Sequence, residues 1–238
     1  PDTVPAVKRY HVQRVEDFKK RVDNEFLTLS WRETNIAPDT LVMLDKQYVE
    51  ELKAAETSWT VLFERGVSQA LIKQYTNAVN TFSSAIELNP SNPFLYLNRS
   101  TTRAEMIDFI SSIDNSYQRI TIESDPAKRL QNSQSRTYNY DEAIADLNKA
   151  AKLYPDFPYT YYNRANLMAL SGKLPEAYND YTKAIELNPA FAEAYYNRGL
   201  VQIFMKDTRK GCLDMSKAGE LGIPEAYEIL KQYTALDR

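Results

Sequence analysis

The chain holds one histidine, His11, and one cysteine, Cys212, among 238 residues. A Ser–His–Asp arrangement needs a histidine held between a hydroxyl and a carboxylate. His11 lies instead in the charged stretch KRYHVQRVEDFKKR, with no strained nucleophile turn nearby. One Cys and one His cannot furnish an ordinary zinc site, and no Gly-rich phosphate loop is present. Cys212 follows Gly211 and reads as a small, partly buried residue; a reactive thiol is the alternative. The sequence therefore predicts no enzyme, no catalytic residue, no metal and no cofactor. Recognition chemistry is better supplied. The chain carries 17 tyrosines, and the strings LYLNRS, YYNRA and YYNRG place tyrosine one or two residues before asparagine. Tyrosine gives large contact area at low entropy cost, and an asparagine amide can bond a peptide backbone.

These strings recur because the elements that carry them recur. The hexapeptide AIELNP occurs at Ala85–Pro90 and again at Ala184–Pro189. Asn163–Arg164 and Asn197–Arg198 are 34 residues apart, as are Ala143, Ala177 and Gly211. In EAYNDYTKAIEL, Ala177, Tyr181, Ala184 and Ile185 fall at i, i+4, i+7 and i+8, one face of a helix. The small residues let two helix axes approach, and the aromatic fills the groove beside them. Asn-Pro then stops the helix, since proline lacks an amide proton and restricts the residue before it.

Thirty-four residues is the period of a helix–turn–helix unit. From about Thr57 to Tyr233 the chain resembles a tetratricopeptide repeat protein of bacterial type. The resemblance rests on Tyr161, Ala165, Leu174, Ala177, Tyr181, Ala184 and Pro189 in one repeat. Tyr195, Gly199, Gly211, Met215 and Ala218 carry it in the next, and Leu62, Gly66, Ala78, Phe82, Ala85 and Pro90 in an early one. It implies an all-α superhelical stack of about four helical hairpins, and PEAYEILKQY reads as the capping helix after the last repeat. The segments GKLPEAYNDYTKAIELNP and KDTRKGCLDMSKAGELGIP are similar in style to bacterial repeat proteins, often of the cell envelope.

In such arrays the first helix of each repeat lines a concave groove. The resemblance thus nominates Phe63 with Val67, then Phe94, Leu97 and Asn98, then Tyr159, Tyr162, Asn163 and Asn166, and finally Tyr196, Asn197, Leu200 and Phe204. The competing reading is that many of these rings pack between repeats. One sub-class binds the acidic C-termini of heat-shock chaperones through a carboxylate clamp of lysines, asparagines and arginine. The clamp positions here hold Phe63, Val67, Asn98, Tyr159 and Asn163, so the cations that hold a carboxylate are missing. No chaperone clamp ligand is expected. Arg99, Arg164 and Arg198 read as ion pairs or packing at the helix edge.

The second repeat departs from the period. Asn98 to Ala143 spans 45 residues where Asn163 to Ala177 spans 14, an excess of 31 at about 107–137. Ile107, Ile110 and Ile113 at helical spacing predict that the first helix continues through the insertion. The polar ESDPAKRLQNSQSRTYN reads as an irregular return. Residues 57–238 form the expected repeat domain and 1–56 an N-terminal extension, in which EFLTLSWRET could be a strand and DTLVMLDKQYVEELKAAE a helix.

Composition agrees. The chain is 43% hydrophobic with only six glycines, which suits packed helices. Its net charge of −3 argues against a nucleic-acid partner. Lys8–Arg21, with six basic and two acidic residues, reads as a solvated face. No apolar run reaches membrane-span length. The missing initiator Met suggests a fragment, cytoplasmic or from the periplasm or cell envelope. The expected function is a non-catalytic scaffold for an unidentified protein or peptide. The alternatives are a structural module of a larger protein, or a regulatory fragment of an enzyme whose catalytic part lies elsewhere.

Overall fold

The computed structural model describes residues 39, 42–43, 45–49, 58–120 and 139–234. Every element among them is helical. The expected strand in 25–34 lies outside the described residues, as does the return of the insertion at 121–138. Internal contacts divide the chain into Pro1–Asn89 and Pro90–Arg238, whereas the sequence suggested a division after residue 56.

In the first unit, helices α1 (Trp59–Leu71) and α2 (Tyr75–Leu88) form a hairpin. Ser58 caps α1, its hydroxyl accepting from the Thr60 amide at 3.3 Å. Ala78, Phe82 and Ala85 are fully buried at i, i+4 and i+7 of α2. Phe82 lies so close to Gly66 that a Cβ there would stand 2.8 Å from the ring. Residues 45–49 are helical. Tyr48 packs against Val61, Leu71 and Ile72, and Asp45 pairs with Arg65 at 3.0 Å.

The second unit strings together α3 (Pro93–Ile120), α4 (Asp141–Leu153), α5 (Pro158–Leu170), α6 (Leu174–Leu187), α7 (Ala192–Phe204), α8 (Thr208–Glu220) and α9 (Glu225–Thr234). Each helix packs on the next in the chain. The partners α3/α4, α5/α6 and α7/α8 are hairpins, and α9 covers Met215 and Ala218 of α8 through Ala226. Ala143 and Ala177, at the predicted small contacts, are buried in these hairpins. So are Tyr181 and Ala184 on the stripe of α6. Burying a tyrosine ring of this kind contributes on the order of 2 kcal/mol.

Both AIELNP copies end their helices alike. Asn89 (φ −140°, ψ 74°) and Asn188 (φ −139°, ψ 92°) leave helical space before the proline, each amide still bonded to the alanine carbonyl four residues back. The turns within hairpins also repeat. Lys73, Gly172 and Lys206 occupy the left-handed region at φ 63°, 74° and 67°, so two of these three turns place a lysine where glycine fits without strain.

Candidate functional site

The period that builds the hairpins also builds a framework of arginines and aspartates. Arg164 of α5 grips Asp180 of α6 through two parallel bonds of 2.6 and 2.7 Å, and its third nitrogen donates to Asn148 of α4 at 2.8 Å. One repeat later, Arg198 of α7 grips Asp214 of α8 at 2.7 and 2.8 Å and donates to Thr182 of α6 at 3.1 Å. Each arginine thus ties its own hairpin and the second helix of the preceding one. Arg99 of α3 pairs with Asp146 of α4 at 3.0 and 2.6 Å, and Arg103 joins the same carboxylate. The Arg99–Asp146 separation is 47 residues against 16 for the other pairs, a difference equal to the 31-residue excess. The guanidinium planes of Arg164 and Arg198 stand 5.4 and 5.5 Å from the ring centres of Tyr161 and Tyr195. The ion-pairing role read for these arginines is what the structure has. Their partners Asp146, Asp180 and Asp214 were not singled out, although Asp146, Asp180 and Asp214 too recur at 34.

The nominated face residues fare differently one by one. Phe63 and Val67 belong to the first unit and are buried, the Phe63 ring 6.0 Å from Phe82. The others belong to the second unit. Tyr159 and Tyr162 are buried and both press on Phe191, with ring centres at 4.9 and 4.7 Å. Phe94 is half-buried and stands edge-on to Phe157 at 5.7 Å. Tyr196 and Leu200 are half-buried and pack toward the Met215 cluster. Leu97 and Asn98 are buried; the Asn98 amide donates to the Phe94 carbonyl at 2.7 Å. Phe204 is 76% exposed. The rings of Phe63, Tyr159 and Tyr162 therefore serve packing between helices, the competing use that the sequence left open.

The amides divide sharply. Asn197 donates to the Tyr162 hydroxyl at 3.1 Å and to the Asn166 amide oxygen at 3.0 Å, and that oxygen also accepts from Tyr181 at 2.6 Å. Burial, opposed by these amide contacts and reinforced by the nearby Glu193 charge, pushes the Tyr162 hydroxyl up to about 12. Asn163, one period earlier, is 8% exposed, and neither its amide nitrogen nor its oxygen has a hydrogen-bond partner. The repeat explains this. Shifted back by the 34-residue period plus the 31-residue excess, the positions of Tyr162 and Asn166 hold Leu97 and Thr101. Leucine offers no polar atom, and no bond forms to Thr101.

Two residues on the first helices escaped the sequence reading. Leu170, at the end of α5, is 64% exposed and stands 34 residues before Phe204, so the period itself could have found it. Glu193, in the first turn of α7, is half-buried and acts electrostatically on Tyr162. No cluster of metal-ligating side chains occurs among the described residues, and no described helix is long and apolar enough to cross a membrane.

A family model described as a TPR repeat matches residues 169–203, spanning α6 and most of α7. Residues 169–203 carry a tetratricopeptide repeat, and the chain has the tetratricopeptide repeat fold. Solved structures share this fold at low identity. MamA is 18% identical with a TM-score of 0.58, over 77% of this chain and 89% of MamA. YrrB, described as a TPR protein with an unusual peptide-binding site, is 17% identical with a TM-score of 0.58, over 81% of this chain and 84% of YrrB. A thermophilic TPR protein of Thermus thermophilus is 14% identical with a TM-score of 0.52, over 84% of this chain and 98% of that one. No curated protein sequence matches the chain.

Proposed function

We propose that this tetratricopeptide repeat protein is a non-catalytic scaffold that binds a peptide segment on the first helices α5 and α7. The observation that carries this reading is the pair Leu170 and Phe204. They hold equivalent positions in successive first helices and leave most of their side chains in solvent. Leu213 of α8 and Met205 after α7 are exposed as well, but on α5 and α7 themselves Leu170 and Phe204 are the large apolar side chains that stand in solvent, and exposed apolar pairs of this kind anchor partners. Asn166 and Asn197 lie half-buried on the same helices and are held by hydrogen bonds to one another, to Tyr162 and to Tyr181, which fixes the two helices beside each other. Among the nominated residues, Tyr196 and Phe204 are the rings on these two helices that keep accessible surface, while Tyr159 and Tyr162 are buried against Phe191.

Selection of a random dodecapeptide display library on the full chain tests the reading. Peptides are expected to be enriched, and Leu170→Ala with Phe204→Ala is expected to weaken them at least tenfold while circular dichroism stays helical. Failure to enrich any peptide, or equal binding by the double variant, rejects this face as the binding surface.

A further inference from the structure

The same face has a sign of charge, and it narrows what can lie there. The inference rests on the peptide-binding reading above. Helices α5 and α7 contain no lysine, and their arginines, Arg164 and Arg198, are each locked onto an aspartate of the following helix. On α3, Arg99 and Arg103 are both drawn onto Asp146. Arg99, Arg103, Arg164 and Arg198 are thereby neutralised inside the hairpins. Glu193 differs. It is half-buried at the start of α7, has no ion-pair partner among the described residues, and lies near enough to Tyr162 for its charge to disfavour the phenolate. A half-buried carboxylate with no counter-charge repels an incoming acid and attracts a base, more strongly than it would in open water.

We infer that the segment bound by α5 and α7 is basic and apolar: a lysine or arginine set against Glu193, with aliphatic or aromatic side chains against Leu170 and Phe204. An acidic tail would meet the Glu193 carboxylate and find no free cation on α5 or α7 to hold it, the exposed Lys206 lying in the turn after α7. The cation need not come from a particular sequence, because a single carboxylate reads charge and leaves side-chain shape to the apolar pair.

The dodecapeptides selected on the full chain provide the test. The expected pool is enriched in Lys or Arg together with Leu, Phe or Trp and depleted in Asp and Glu. Affinity of a selected peptide, measured by fluorescence polarisation, should fall about tenfold with Glu193→Gln and further with Glu193→Lys, and should weaken as salt rises. Glu193→Gln keeps the side-chain size, and its urea midpoint checks that the fold is intact. A pool rich in acidic residues, or Glu193→Gln binding within twofold of the parent, overturns the charge inference while leaving peptide binding standing. A library that yields no peptide at all overturns both.

Discussion

Replacing Asn163 by leucine should stabilise this protein, although most substitutions of buried residues destabilise. Both polar atoms of the Asn163 amide are buried without a partner. Each buried unpaired polar group costs about 1–3 kcal/mol, so removing two relieves roughly 2–6 kcal/mol before other terms. Leucine is similar in size but differently branched, and fitting it into a packed site costs up to about 1.5 kcal/mol. A net gain near 2 kcal/mol follows, or about 4–8 °C in thermal midpoint for a chain of this size. Asn197→Leu is the matched control, one period away. It breaks two side-chain hydrogen bonds, taking one donor each from the Tyr162 hydroxyl and the Asn166 oxygen, so it should lose about 1–3 kcal/mol. Urea melts of the two variants followed by circular dichroism compare the signs directly. If Asn163→Leu is destabilised as much as Asn197→Leu, the Asn163 amide is bonded in solution and the reasoning from the replaced partners Leu97 and Thr101 is wrong.

Three further outcomes follow from the fold. Ala177 is fully buried where α5 meets α6, so Ala177→Glu should place an unpaired charge in the hairpin and cost several kcal/mol, read as a large fall in urea midpoint. Gly172 sits at φ +74° with open space around its missing Cβ, so Gly172→Ala should lose about 1 kcal/mol through backbone strain alone, whereas Lys206→Gly at the equivalent turn should lose nothing by the same melt. The Tyr162 hydroxyl is raised from 10.0 to about 12, chiefly by burial, and burial likewise raises Tyr181. The folded state then holds these protons more tightly than the unfolded one. The Tyr162 contribution is complete below pH 10 and is lost as pH rises through 12, and that of Tyr181 also begins to fall above pH 10, so unfolding midpoints measured from pH 8 to 12 should fall only above about pH 10.

The fold was legible because a repeat states the same constraint several times. Ala143, Ala177 and Gly211 each meet a neighbouring helix, and the 34-residue spacing made one small residue into a pattern. The tight backbone approach of α7 and α8, where a Cβ on Gly211 would lie 2.8 Å from the Gly199 carbonyl, reads in sequence as two glycines in place of the alanines Ala165 and Ala177. The face was less legible, since an aromatic that packs between helices and one that greets a ligand share the same spacing. Tyr159 and Tyr162 are buried against Phe191, a loop residue outside the register used to nominate them, while Phe204 has no such cover. Asn163 and Asn197 are identical in sequence and in register. What separates them is the neighbour one repeat earlier, Leu97 in one case and Tyr162 in the other. Glu193 was overlooked because a carboxylate in the first turn of a helix is ordinary; its meaning comes from the arginines being engaged elsewhere.

Whether α5 and α7 present a peptide-binding face is decided most directly by one comparison. It is the affinity of library-selected dodecapeptides for the full chain against Leu170→Ala with Phe204→Ala. A loss of at least tenfold with the fold intact is the predicted result; unchanged affinity in the double variant contradicts it.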